Sequence, residues 1–215
     1  MVEDDSSRRP LKTRSTEWAR SLARGLTSAG ISPNAISAFS VVAALIGGAA
    51  FIGAARGWIS WPVGWIAGAA MIQLRLLCNL MDGMVAIEGG KKSATGDLWN
   101  EIPDRLADTI FLVSAGWAAG IPWIGVLTAW ASVMTAYVRA MGAALTGAHD
   151  FCGPCAKPHR MAILTVASLI TAAEALWEGH GEVMRIAIII IAAGTCITIL
   201  RRTIRLATKL KEARP

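Results

Sequence analysis

The chain has 215 residues, 54% of them hydrophobic and 17% charged, with a formal net charge of +6. So few charges cannot clothe an ordinary water-soluble surface, and apolar runs recur from residue 31 onward, so the sequence reads as an all-α integral membrane protein. Membrane topology and lipid contact absorb the basic surplus and leave nucleic acid no part as a partner.

Residues 1–30 form a polar, basic N-terminal segment without the apolar stretch of a cleavable signal peptide. Within it, residues 15–28 place Trp18, Leu22 and Leu26 on one helical face beside Arg20 and Arg24. That pattern suits an interfacial amphipathic helix on an anionic membrane surface, or equally a short soluble helix leading into the first span. The remainder, 31–215, is expected to be one membrane domain. Six stretches, near 31–56, 62–87, 98–119, 121–146, 159–178 and 183–206, are long enough to cross about 30 Å of hydrocarbon. Ser32 and Pro33 suit the cap and first turn of the first span. Gly47, Gly48, Gly64 and Gly68 permit close helix approach.

Basic residues set the orientation. Arg8, Arg9, Lys12, Arg14, Arg20 and Arg24 precede span 1, Lys91 and Lys92 follow span 2, Lys157 and Arg160 follow span 4, and Arg201, Arg202, Arg205, Lys209 and Lys211 close the chain. All fall on one side of a six-span bundle, with Arg56 and Arg185 a minority on the other. The positive-inside rule then puts both termini in the cytoplasm. Trp58, Trp61, Trp65, Trp117, Trp123 and Trp177 cluster at the opposite turns, where an interfacial aromatic belt is expected. The expected location is a bacterial or archaeal inner membrane, with the functional site facing the cytoplasm.

The chemistry concentrates at the cytoplasmic ends of spans 2 and 3. Asn79 and Asp82 share one helical face, and Asn100 and Asp104 share another. Carboxylates this close to lipid need a ligand, a metal or a buried partner. If the helices are antiparallel neighbours, their oxygens meet at one depth and suit a hard divalent cation. Gly83 and Gly96 leave room there for a phosphate ligand. Arg75, near mid-span and one turn before Asn79, is expected to pair with Asp108, or else to grip a phosphate.

The string Asn79-x2-Asp82-Gly83-x2-Ala86-Ile87-x8-Gly96-x3-Asn100-x3-Asp104 resembles the signature of the CDP-alcohol phosphatidyltransferases, D-x2-D-G-x2-A-R-x8-G-x3-D-x3-D, with matched spacing throughout. Ser32-Pro33-Asn34 with Ser37 resembles the family's entry to span 1, and Tyr137-x-Arg139-Ala140 its element late in span 4. The resemblance implies transfer of a phosphatidyl-type group from a CDP-linked lipid, such as CDP-diacylglycerol, to a small polar alcohol, possibly phosphorylated, with release of CMP in phospholipid biosynthesis. It implies two Mg²⁺ or Mn²⁺ ions held by Asn79, Asp82 and Asn100 with help from Asp104, and Asp104 as the general base on the acceptor hydroxyl. It further implies contacts to the bound donor or acceptor from Asn34, Gly83, Ala86 and Gly96, and a homodimer packed through membrane helices.

Three positions depart from the signature: Asn79 and Asn100 stand where Asp is expected, and Ile87 where Arg is expected. Two of four formal charges are thereby missing, and Glu88, Asp97, Glu101 and Asp108 are the nearby carboxylates that could compensate. Arg139, Lys157 and Arg160 form a candidate lip for an acceptor phosphate, or merely enforce topology. Arg105 is a candidate ion-pair or phosphate contact. His149, Cys152, Cys155 and His159 have zinc-type ligands in unusually tight spacing, while Cys152-Gly153-Pro154-Cys155 lacks the strand-to-helix setting of a redox motif. Two alternatives to catalysis remain: a lipid- or nucleotide-binding family member, or a regulator of an active homologue; and a small transporter, which Arg75 and Asp108 would serve but which has no use for the signature spacing.

Overall fold

The structure is a computed structural model that describes residues 16–88 and 95–212, without the side chains of Glu88 and Asp97. Arg8, Arg9, Lys12, Arg14, Lys91 and Lys92 lie outside the described residues, as do the side chains of the two compensating carboxylates just named. The described elements are all helical: α1 (Glu17–Ser28), α2 (Pro33–Ala55), α3 (Trp61–Glu88), α4 (Gly96–Ala118), α5 (Pro122–Thr146), α6 (Lys157–Ala173), a 3₁₀ turn (Glu174–Leu176) and α7 (Glu182–Glu212). Five helices, α2, α3, α5, α6 with its 3₁₀ extension, and α7, are long and apolar enough to cross a membrane. The protein is an integral membrane protein. The helix expected as span 3, α4, has the length but breaks its apolar run with Glu101, Asp104, Arg105 and Asp108.

Local chemistry explains the helix ends. Ser32 Oγ accepts from the Ala35 N–H at 3.2 Å and Pro33 fills the first turn of α2, as the sequence predicts. Gly147 closes α5 in the left-handed region, φ 70°. α7 spans 31 residues, about 46 Å at 1.5 Å per residue, so its basic end outruns the hydrocarbon.

α2 packs on α3 and α4, α4 on α5, α5 on α7, α7 on α6, and α6 on α3, so the long helices close a ring. α3 and α4, consecutive in sequence, touch each other only lightly because α2 stands between them. The expectation of two directly packed neighbours is corrected accordingly. What joins the C-terminal half of α3 to the N-terminal half of α4 is polar side chains.

Small residues let α2 take that place. A Cβ on Gly47 would come within 2.6 Å of the Phe111 ring, and one on Gly48 within 2.8 Å of Ser114 Oγ, so α2 sits where only hydrogen atoms fit. The core below holds Phe51, Trp65, Phe111, Leu112, Met161, Leu164 and Ile188. Trp65 departs from the expected aromatic belt: it is fully buried, with its ring centroid 4.8 Å from that of Phe51. Trp58, Trp123 and Trp177 are exposed, as a belt requires. Both minority cations on that side are satisfied locally, Arg56 over the Trp117 ring at 4.7 Å and Arg185 Nε donating to the Ala119 carbonyl at 3.1 Å.

α1 lies against α3 through Ala19 and Ala23, both fully buried, and turns Trp18 and Leu22 outward beside Arg20 and Arg24. The bundle therefore takes the small residues, with Leu26 packed beside them, and leaves Trp18 and Leu22 exposed.

Candidate active site

One face of α3 carries Arg75, Asn79 and Asp82, spaced four and three residues apart, and one face of α4 carries Asp104 and Asp108, four apart. These faces meet. Arg75, fully buried, donates from Nη2 to Asp108 Oδ1 at 2.6 Å, to Asp104 Oδ1 at 3.2 Å and to the Asp104 carbonyl at 3.1 Å. The internal Arg75–Asp108 pair expected from sequence is thus present, with Asp104 as a second partner.

Asp104 is the hub. Its Oδ1 also accepts from Asn79 Nδ2, and its Oδ2 accepts from Lys157 Nζ, which reaches over from the start of α6. The same ammonium donates to Asn79 Oδ1 at 3.3 Å, so one lysine ties both signature arms together. Asp82 stands apart from this knot. Its Oδ2 accepts from Ser37 Oγ of α2 at 2.7 Å, while its Oδ1 is buried without a hydrogen-bond partner. Ser37, which the sequence offers only as part of the span-1 element, orients a site carboxylate through its hydroxyl.

The remaining expected residues divide by position. Asn100 is exposed at the start of α4, and Asn34, Gly83, Ala86 and Gly96 are half-buried around the same end of the bundle. Arg139, Lys157 and Arg160 do not form a common lip. Arg139 donates to Glu101 Oε1 at 2.5 Å and Lys157 holds Asp104, whereas Arg160 is buried, 3.5 Å from Asp108 Oδ2 and donating to the Cys155 carbonyl at 2.9 Å. Arg105 pairs with Glu101 Oε2 at 2.8 Å, so Glu101 is a bridge between two arginines. The Arg160–Asp108 contact was missed from sequence; its available signal was the three-residue step from Lys157, which puts both cations on one face of α6.

The loop 147–156 is structural. Gly153, at φ +123°, lies so close to the Thr198 side chain that a Cβ would overlap it. The Cys155 N–H donates to Thr198 Oγ1 at 3.1 Å, and Arg202 Nε donates to the Cys152 carbonyl at 2.9 Å. All four cysteines are free. Cys155 is buried and His159 exposed, and among the described residues no group of three or more His, Cys, Asp or Glu could hold a metal. This fits an inert, reduced loop and gives the zinc reading no described ligand group.

Comparison with known proteins gives this geometry a context. No family model matches the chain. The archaetidylinositol phosphate synthase of Methanothermobacter thermautotrophicus is 30% identical over 148 residues, covering 68% of this chain and 72% of the relative. Two solved structures of the Mycobacterium tuberculosis phosphatidylinositol phosphate synthase share the fold. The one with CDP-DAG bound superposes with a TM-score of 0.72 at 19% identity, over 89% of this chain and 94% of that one. The one in complex with manganese and citrate gives 0.73 at 20%, over 88% and 89%. The helical membrane bundle is thus the fold of these membrane synthases. The chain belongs to the CDP-alcohol phosphatidyltransferase family, enzymes of phospholipid biosynthesis.

Proposed function

We propose that the protein transfers a phosphatidyl-type group from a CDP-linked lipid to a phosphorylated polyol, releasing CMP, at the cytoplasmic end of a six-span bundle in which α4 is the sixth crossing helix. The observation that carries this reading is a buried carboxylate on each of two opposed helices, Asp82 with one oxygen unpartnered and Asp104 ringed by cations. The relatives' names support an inositol phosphate as acceptor. They favour a diacylglycerol-based or an archaeal ether-linked donor.

The donor set fits a hard cation at Asp82: Ser37 fixes the carboxylate through Oδ2, and Oδ1 is buried without a partner. Asp82 and Asp104, with amide oxygens from Asn79 and Asn100, are the residues that would hold Mg²⁺ or Mn²⁺. When bound, such an ion neutralises the diphosphate and makes its phosphorus a better electrophile. Asp104 takes the proton of the acceptor hydroxyl as that oxygen attacks the lipid-side phosphorus and the bond to the CMP oxygen breaks. For this, Lys157 must leave Asp104 Oδ2, and its flexible stem then carries the ammonium toward the acceptor's phosphate. Arg139, on the partly exposed Glu101, is the second cation placed to receive it. Lipid chains lie between helices, and a homodimer through the membrane helices belongs to the same proposal on the strength of the family resemblance.

A second reading, binding without turnover, is favoured by one observation: both Asp104 oxygens are already engaged. CMP release decides between them. Purified protein is supplied with CDP-diacylglycerol or its ether-linked counterpart, with inositol phosphate, glycerol phosphate or serine, and with or without Mn²⁺. Metal-dependent CMP release with inositol phosphate, lost in Asp82→Ala and Asp104→Ala, is expected. Donor binding without release for any acceptor would establish the second reading.

A further inference from the structure

Glu101 stands beside the site with no part in the proposed reaction. Its two oxygens go to cations on different helices: Oε1 accepts from Arg139 Nη2 of α5 at 2.5 Å, and Oε2 from Arg105 Nη2 of α4 at 2.8 Å. The bridge is open to solvent, with the Glu101 side chain 43% exposed and both guanidiniums partly so. Arg105 Nη2 also lies 3.9 Å from Asp104 Oδ2, so the bridge adjoins the carboxylate assigned to the acceptor's proton. A carboxylate held between two partly exposed guanidiniums has the form of an anion bound in a site.

The arginines also have capacity and support that Glu101 does not supply. Arg105 Nε is without a hydrogen-bond partner, so the carboxylate leaves a donor unmet. Arg139 lies over the Phe151 ring at 5.7 Å, and Arg105 is fixed to α4 next to Asp104, so neither depends on Glu101 alone for its position. A phosphate monoester offers three acceptor oxygens and a charge of about −1.5 to −2, against one charge and two oxygens on the carboxylate.

We infer that the Glu101 carboxylate is a tethered competitor for the acceptor's phosphate: it occupies Arg105 and Arg139 until a phosphate monoester displaces it, and so restricts the site to phosphorylated alcohols. Attachment to α4 gives the carboxylate a high effective concentration at the two arginines. An unphosphorylated polyol has no charge with which to displace it, and serine brings only another carboxylate. This role rests on the phosphorylated acceptor of the proposed reaction and names the group that enforces that choice.

The sign of one substitution separates a competitor from a strut. Purified full-length protein is titrated calorimetrically, without donor, with inositol phosphate, inorganic phosphate and inositol. Glu101→Gln keeps the shape and removes the charge, and it should bind both phosphates at least about tenfold more tightly than wild type, with inositol bound no more tightly. In CMP release the same variant should lower KM for inositol phosphate more than it changes kcat. Were Glu101 a strut for the arginines, the substitution would weaken phosphate binding instead. A second measurement uses the wild type and depends on no variant folding: carbodiimide coupling of an amine to Glu101, read by peptide mass spectrometry. Inositol phosphate should free the carboxylate and raise its labelling at least about threefold.

Phosphate binding that is unchanged or weaker in Glu101→Gln, phosphate binding absent from both proteins, or Glu101 labelling that does not rise when the wild type is saturated with inositol phosphate would each overturn the inference. CMP release from inositol phosphate alongside weaker binding in Glu101→Gln would sink the inference and leave the proposed reaction standing. Tighter phosphate binding in Glu101→Gln without CMP release for any acceptor would do the reverse.

Discussion

Arg75 is enclosed on all sides, and its guanidinium holds two carboxylates from another helix at 2.6 and 3.2 Å. Removing it takes from Asp108 its shortest ion pair, leaving only Arg160 at 3.5 Å in a low-dielectric interior, and breaking a buried pair from one side costs about 3–5 kcal/mol. Arg75→Met should therefore lower the thermal midpoint of the purified protein sharply. Arg75→Met/Asp108→Leu should recover part of the loss, since replacing both partners of a buried pair is often near neutral while the buried Arg160 gives up its Asp108 contact. No recovery in the double variant would mean that Asp104, not Asp108, is the principal partner. Ser37 acts on a smaller scale. Its hydroxyl fixes the Asp82 carboxylate, and Ser37→Ala should weaken Mn²⁺ binding about tenfold with the fold intact, the usual cost of losing a group that orients a metal ligand.

Among the elements, α7 depends on a residue outside it. Glu174, fully buried in the 3₁₀ turn, accepts from the Gly181 N–H at 2.6 Å and the Val183 N–H at 2.7 Å, and so places a carboxylate on the positive end of a 31-residue helix. Glu174→Ala leaves these donors without a partner and should cost about 1–3 kcal/mol, read by thermal unfolding. At the other end of the bundle, the 147–156 loop fastens α6 to α7 through Asp150 as well as Gly153. Partial burial opposes the Asp150 charge, but the Cys152 N–H and Arg205 outweigh it and hold the carboxyl below the usual carboxylate range. A carboxylate depressed by folding stabilises above its unfolded pKa of about 3.9, and that stabilisation fades as pH falls through the lower folded value. The stability gap between wild type and Asp150→Asn should therefore be full at neutral pH and close only below about pH 4. A gap that instead widened in acid would show that the loop is held without this charge.

At the scale of the whole molecule, the number of crossings is the decisive quantity. The ring of helices places α4 between α2 and α5, with Phe111, Leu112 and Ala115 buried in the shared core, the position of a spanning helix. Among its described charges, Glu101, Asp104, Arg105 and Asp108 each find a partner, which would let a helix too polar by composition cross. With α4 as a sixth crossing, as proposed, both termini fall on one side, so protease-sensitive tags at the two ends should be cut together from the cytoplasmic face and together protected from the other. Tags on opposite faces would show that α4 does not cross.

Much of this was legible in the chain. The helix beginning at Pro33, the close approach at Gly47 and Gly48 and the Arg75–Asp108 pair follow from patterns within one segment, or from the rule that a charge in hydrocarbon needs a partner. The signature spacing gave the family and the two opposed arms, because positions three and four apart on a helix share a face whatever surrounds them. The fold alone decided that α2 stands between α3 and α4, that Trp65 packs in the core and not at the interface, and that Lys157, 78 residues from Asn79, closes the gap between the arms. The physical reason is range. Periodicity and capping are local and can be read in order along the chain, whereas the pairing of buried charges is settled between residues that only packing brings within a few ångströms of one another.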